Sequence, residues 1–220
     1  MIKNNLTNLM KELPPTVKLV AVSKYHSEEE ISEAYEAGQR IFAESRPQEF
    51  EKKVRNLPDD IQWHFIGHLQ TNKLKMVLPY AGLIHSVDSL HLIQEIDKWG
   101  KENGRTVNIL LEMHIASEET KQGFYEEEIL DIMFDSRKFA NVRICGLMGM
   151  ATNTDDEETV ETDFRRISSF FEYLRDLFPE MEEFKELSIG MSGDWRTAIR
   201  HNATMVRIGT AIFGERNYSK

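Results

Sequence analysis

Short runs rich in Val, Ile, Phe and Leu recur along the chain at 18–24, 40–45, 61–67, 83–88, 107–115, 142–150, 186–190 and 205–209. Each has the length and composition of a strand. Most gaps between them carry helical periodicity: 28–37, 47–55, 69–78, 89–102, 126–134, 157–178 and a short stretch at 193–200. Strands separated by helices pair in parallel, because the crossover returns the chain to its starting edge. Eight βα repeats in about 200 residues predict an α/β fold, a single-domain (β/α)8 TIM-type barrel. Residues 1–12 read as an extra amphipathic helix closing the bottom or one side. A doubly wound open sheet is the runner-up, and in either architecture the site belongs at the carboxyl ends of the strands.

Helix punctuation supports this segmentation. Ser27 precedes Glu28-Glu-Glu30 as an N-cap with Glu at the third helical position, and Gly38 follows the periodic stretch as a C-cap candidate. Asp88 before Ser89, and Asp155-Asp156 before Glu157, place acids at helix starts, where the dipole favours them. The acidic run at 155–163 is therefore a solvated helix start. No Gly/Ser/Pro-rich linker divides the chain, so residues 1–220 are expected to form one domain.

Composition narrows the function. The 220 residues are 40% hydrophobic, enough for a sizeable core, and 37 acidic residues against 27 basic ones give a net charge of −10. Without a Lys/Arg block to track a phosphodiester backbone, nucleic acid is not an expected partner. The single cysteine, Cys145, sits inside the apolar run Val142–Met150 and reads as a buried structural thiol; neither an intrachain disulfide nor a cysteine metal cluster can form. His64, His68 and His114 are scattered, with no His-Glu-x-x-His, so no metal is expected. His64 on the third strand, with Met148 and Met150 of the sixth, lines the barrel, the methionines as packing. The amino-terminal segment lacks a long apolar stretch and no run of about 18 apolar residues occurs, which predicts a soluble, cytoplasmic protein without a membrane span.

Lys24 ends the first predicted strand, Lys18-Leu-Val-Ala-Val-Ser-Lys24. A free lysine amine has a pKa of about 10.4, and desolvation or a nearby cation exposes its nucleophilic form, which condenses with aldehydes. A snorkelling surface lysine is the alternative. Ser188-Ile-Gly-Met-Ser-Gly-Asp-Trp195 runs from a strand through small residues into a short helix, offering the Ser192 hydroxyl and the Gly193 amide to a phosphate. Arg207-Ile-Gly-Thr-Ala211 ends the eighth strand with Gly209 and Thr210. By the period of two, Arg207 lies on the same strand face as Gly209, just below it. The loops after strands seven and eight are the usual phosphate site of a TIM barrel. Neither is a P-loop nor a dinucleotide fingerprint. A barrel that binds a phosphosugar without a covalent bond would use the same loops.

At this point the residues match a known family. Val20-Ala-Val-Ser-Lys24, Trp63-His-Phe-Ile-Gly-His-Leu-Gln-Thr-Asn-Lys73, Thr120-Lys-Gln-Gly123, Gly146-Leu-Met-Gly-Met150, Ser188-Ile-Gly-Met-Ser-Gly-Asp194 and Met205-Val-Arg-Ile-Gly-Thr-Ala-Ile-Phe-Gly214 cover nearly the whole chain. It resembles the pyridoxal 5′-phosphate homeostasis proteins, single-domain fold-type III barrels related to the N-terminal domain of alanine racemase. The resemblance implies that Lys24 forms the internal aldimine of pyridoxal 5′-phosphate, that Arg207 faces the pyridine nitrogen, and that Ser192, Gly193, Gly209 and Thr210 hold the phosphate. One departure is Ala43-Glu-Ser-Arg-Pro47, where Ser45 stands in place of the family's usual Asn. Asn72 and Lys73 belong to the signature without a role that physics specifies, and Lys121 is a second lysine that receives cofactor transiently or is simply solvated.

An arginine beside the ring nitrogen discourages protonation of the pyridine and weakens it as an electron sink. The sequence also ends at Lys220, shortly after the last phosphate loop, without the second domain that gives a racemase its opposing base. Both favour a monomeric carrier and buffer of the cofactor, with apo forms of pyridoxal phosphate enzymes as acceptors, over a minimal amino-acid racemase-like enzyme.

Overall fold

Apolar strand runs and helical crossovers alternate until the sheet meets its own first edge. The computed structural model describes residues 1–118 and 122–215. Among them the strands are β1 (Lys18–Val22), β2 (Ile41–Glu44), β3 (Gln62–Phe65), β4 (Leu83–Val87), β5 (Val107–Glu112), β6 (Val142–Met148), β7 (Glu186–Ser188) and β8 (Met205–Ile208). They pair in parallel in sequence order, and β8 returns to β1 in the register Lys18↔Met205 to Ala21↔Ile208. That closure excludes the open doubly wound sheet.

Around the barrel run α1 (Ile2–Glu12), α2 (Glu28–Glu36), α3 (Pro47–Asn56), α4 (Leu74–Val77), α5 (Leu90–Asn103), α6 (Glu126–Phe134), α7 (Glu157–Leu177), α8 (Trp195–Arg200) and α9 (Thr210–Phe213). The predicted helix at 69–78 is a 3₁₀ turn, Thr71–Lys73, that runs into the single turn α4. No side chain caps either piece, and Pro79 stops the second. The Ser27–Glu30 capping box forms as read, with the Ser27 hydroxyl accepting from the Glu30 amide and the Glu30 carboxylate accepting from the Ser27 amide. Asp156 caps α7, whereas Ser89, not Asp88, caps α5.

The extra helix α1 covers one side rather than the bottom. Its Asn5 amide donates to the Ile212 carbonyl of α9, Glu12 pairs with Arg196 of α8, and the Lys3 backbone amide donates to Glu33 of α2. It therefore fills the ring position that the four-residue α9 is too short to cover.

Side-chain alternation splits the core in two. A large cluster packs the outer strand faces against the helices. A second cluster of Val20, Ala43, Leu83, Leu110, Cys145, Met148 and Met205 fills the barrel interior. Cys145 is thus a packing residue, and burial pushes its thiol up to about 11. Between Ile109 and Leu110 the β5–β6 register slips, and Gly146 takes φ +151° there. A Cβ at Gly146 would lie 1.8 Å from the Glu186 carbonyl oxygen of β7. Gly146→Ala is accordingly expected to cost about 3 kcal/mol or more, read as a lower denaturation midpoint with an unchanged slope.

Candidate functional site

The carboxyl ends of the strands form a mouth whose first rim is the turn after β1. The strand ends at Val22, two residues before its predicted end, although the Ser23 amide still donates to the Ala43 carbonyl of β2. Lys24 lies just beyond, half-buried, and Tyr25 holds the left-handed φ of +69°. Such a backbone persists only where its surroundings hold it. Lys53 of α3, 4% exposed, supplies much of that support. Its ammonium donates to the Ser23 carbonyl (2.9 Å), to Glu44 (2.8 Å) and to Glu49 (2.7 Å), and Glu49 accepts from the Tyr25 amide at 2.9 Å. Arg46 lies 4.5 Å over the Tyr25 ring. Glu44 also accepts from the Ser23 hydroxyl at 2.6 Å; burial raises its carboxyl to about 7 against the opposing pull of Lys53.

The opposite rim comes from the loops after β7 and β8. The Ser192 hydroxyl accepts from the Gly209 amide at 3.3 Å, tying the two loops together. A Cβ at Gly209 would meet the Val22 carbonyl oxygen at 3.1 Å, so this loop lies against the end of β1. Gly193 has open space over its Cα, and Thr210 begins α9 on the surface. With Ala21 opposite Ile208, Lys24 and the Gly209–Thr210 step leave adjacent strands at the same end. The helix read from residue 193 starts at Trp195, so Ser192 and Gly193 sit in the preceding turn.

Below this rim Arg207 enters the barrel and is 4% exposed. Its Nη1 donates to the Ser188 carbonyl (2.6 Å) and hydroxyl (2.7 Å), and its Nη2 to the Gly149 carbonyl (2.9 Å). Burial lowers its pKa to about 10, so it remains a cation at neutral pH. The hydrogen bonds continue across the interior: Ser188 Oγ is 2.9 Å from His85 Nδ1, and His85 Nε2 is 2.9 Å from His64 Nδ1. Burial drives both imidazoles toward the neutral form, His64 to about 3 and His85 well below its ordinary value. Beneath them Lys18 pairs with Glu186, which also accepts from Thr204 at 2.9 Å.

Glu112 ends β5 with its side chain facing the same interior; burial, aided by Asp88 and opposed by Arg207, raises it to about 7. Its folded pKa lies above the ordinary 4.5, so the folded chain holds this proton more tightly than the unfolded one does. The stability conferred is full below about pH 4.5 and is lost as pH rises through about 7. Glu112→Gln keeps the shape without the charge. It is expected to stabilise the protein by up to about 3 kcal/mol at pH 8 and hardly at all at pH 5, checked by denaturant titration at both values.

The pattern of the family described as "Alanine racemase, N-terminal domain" matches residues 1–217. The chain belongs to this family. Among its relatives is a "Pyridoxal phosphate homeostasis protein" of Pasteurella multocida, 37% identical over 209 residues, 93% of this chain and 88% of that one. PipY of Synechococcus elongatus PCC7942, solved with PLP bound, superposes with a TM-score of 0.89 at 35% identity, covering 97% of this chain and all of that one. An alanine racemase of Clostridium difficile 630 covers the whole chain at a TM-score of 0.79, but at 18% identity that likeness concerns the fold alone.

Several features of this alanine racemase N-terminal domain escaped sequence reading. His85 sits in an apolar strand where nothing marks it as the partner of His64, and Lys53 looks like one more solvated charge on α3. Only the i,i+4 spacing from Glu49 hinted at Lys53's pairing. Asp88 lies 3.0 Å from His68 Nδ1, an ion pair whenever that imidazole is protonated. Ser45 is half-buried beside the mouth, and Asn72 and Lys73 form the 3₁₀ turn after β3. Lys121 lies outside the described residues. Among the described residues no group of three or more His, Cys, Asp or Glu could hold a metal, and no helix is long and apolar enough to cross a membrane.

Proposed function

We propose that this protein binds pyridoxal 5′-phosphate as a carrier and buffer, joined to Lys24 as a Schiff base and without robust turnover. The bound group supplies an aldehyde, whose oxygen leaves as water when an amine condenses with it. The observation that supports the reading is that the turn bearing Lys24 and two loops joined through Ser192 and Gly209 leave the barrel at the same end, Lys24 and Gly209 from adjacent strands. The backbone amides of Gly193 and Thr210 and the hydroxyls of Ser192 and Thr210 form a donor set suited to a phosphate dianion, which the Gly209 amide would join by exchanging Ser192 Oγ for a phosphate oxygen.

Arg207 passes a further test of fit. Three of its five N–H bonds go to Ser188 and Gly149, and its Nε–H and one Nη2–H have no partner among the described residues. A buried guanidinium with unused donors matches an unprotonated ring nitrogen as acceptor. Because Arg207 keeps its own proton at neutral pH, it does not pass one to the ring, and carbanion chemistry gains little from it. Handing the cofactor to apoenzymes is then the role that remains.

The test is incubation with pyridoxal 5′-phosphate, reduction with borohydride and peptide mapping. A single reduced adduct at Lys24 is expected; no adduct, or one confined to other lysines, overturns the proposal. α-Proton exchange of amino acids in deuterated water separates carrier from racemase-like enzyme. Exchange that is fast and dependent on Lys24 would replace the carrier reading with a catalytic one.

A further inference from the structure

Two histidines lie in the barrel interior, away from the mouth, and the binding residues above make no use of them. His85 is fully buried on β4 and His64 nearly so on β3. Buried imidazoles amid Val20, Leu83 and Leu110 cost free energy compared with apolar side chains of similar volume, so their connection needs a reason. The connection runs to one place, Arg207, by way of Ser188.

The direction of each hydrogen bond in this line follows from its first member. Arg207 has only donors, so Ser188 Oγ accepts from Nη1. Among the described residues His85 Nδ1 is the one acceptor within reach of that fully buried hydroxyl, so the arrangement that leaves its hydrogen satisfied has His85 Nδ1 accepting. A neutral imidazole that accepts at Nδ1 carries its proton at Nε2, so His85 donates to His64 Nδ1. Every donor therefore points away from the arginine. Both imidazoles being neutral, the line adds no second positive charge beneath the guanidinium.

We propose that His85 and His64 are positioning residues for Arg207: through Ser188 they fix the face of the guanidinium that is turned from the mouth, leaving its unused N–H bonds for the cofactor ring. This rests on the pyridoxal phosphate reading of the site. Ser188 is a stronger acceptor for Arg207 because its own proton is taken up by His85, and His64 holds His85 in the required tautomer. Loosening the line lets the arginine drift and admits protons to the ring nitrogen.

The experiment compares wild type, His85→Leu and His85→Gln, each loaded with pyridoxal 5′-phosphate. The readouts are the absorbance band of the bound cofactor from pH 6 to 9 and the rate of cofactor release on dilution. Gln accepts and donates with about the spacing of the two imidazole nitrogens, whereas Leu does neither. Wild type is expected to keep one band across the range. His85→Leu should still be trapped at Lys24 by borohydride, with a band that now changes with pH and release faster by about tenfold. His85→Gln should return both readouts to near the wild-type values.

An unchanged band and release rate in His85→Leu overturns the proposal, as does a Gln variant no better than Leu. Should His85→Leu fail to fold, Ser188→Ala carries the same expectation, and unchanged readouts in that variant overturn the proposal equally. Wild type that takes up no cofactor sinks the pyridoxal phosphate reading itself. That outcome is distinct from variants that load normally and show no difference.

Discussion

Lys24→Ala is expected to abolish the borohydride-stable adduct and to weaken retention of pyridoxal 5′-phosphate by a hundredfold or more, about 2.7 kcal/mol. The proposed phosphate site does not include the lysine side chain. The hydrogen bond that joins the Ser192 and Gly209 loops does not involve Lys24, so inorganic phosphate should bind the variant about as well as wild type. Dialysis retention and phosphate competition measure the two halves separately. A variant that retains the cofactor as tightly as wild type would show that the amine plays no part in holding it. Folding should be little affected, because Lys24 is half-buried in a turn after the strand rather than in the core.

Lys53→Met should have the largest effect on stability. The side chain is 4% exposed, and its removal leaves the wholly buried Glu44 carboxylate without a cation and the Ser23 carbonyl with only the His26 amide as donor. Breaking one partner out of such a pair costs about 3–5 kcal/mol, which corresponds to roughly 6 °C or more in melting temperature for a chain of this size. Adding Glu44→Gln should recover part of the loss, since the stranded charge is then gone. Lys53→Met should also slow adduct formation at Lys24, because Ser23 and Tyr25 on either side of it lose Lys53 and the Glu49 carboxylate that Lys53 holds in place. Denaturation of both variants together with the rate of borohydride-trapped adduct formation tests the two consequences. Normal stability in Lys53→Met would mean that the ion cluster adds nothing net.

The two residues differ in how far local sequence singles them out. Lys24 is legible because a lysine at the end of a β-branched run breaks the local pattern. The positions of Arg207, Gly209 and Ser192 in the fold are legible because strand period and loop order place them on β8 and in the loops after β7 and β8. Lys53 breaks no pattern. It is an ordinary charge on an amphipathic helix, and its role appears only when α3 packs its buried face onto the ends of β1 and β2. His85 is similar: its partners are 21 residues away in His64 and 103 away in Ser188, distances at which local periodicity carries no signal.

By itself the sequence determined the eight strands, their parallel pairing and the end of the barrel at which Lys24 and the last two loops lie, because hydrophobic period, helix caps and short connections are local properties of the chain. It overran several strand ends, such as β5, since the apolar Met113 and Ile115 past the strand look the same as residues within it. Tertiary structure alone decided that α1 takes the place of an eighth crossover helix, that Lys53 stands behind the Lys24 turn, and that Arg207 is the head of a hydrogen-bonded line through the interior. Each of those depends on barrel closure. Only closure sets β1 against β8 and brings β3, β4 and β7 around one axis, where side chains far apart in sequence come within hydrogen-bonding distance.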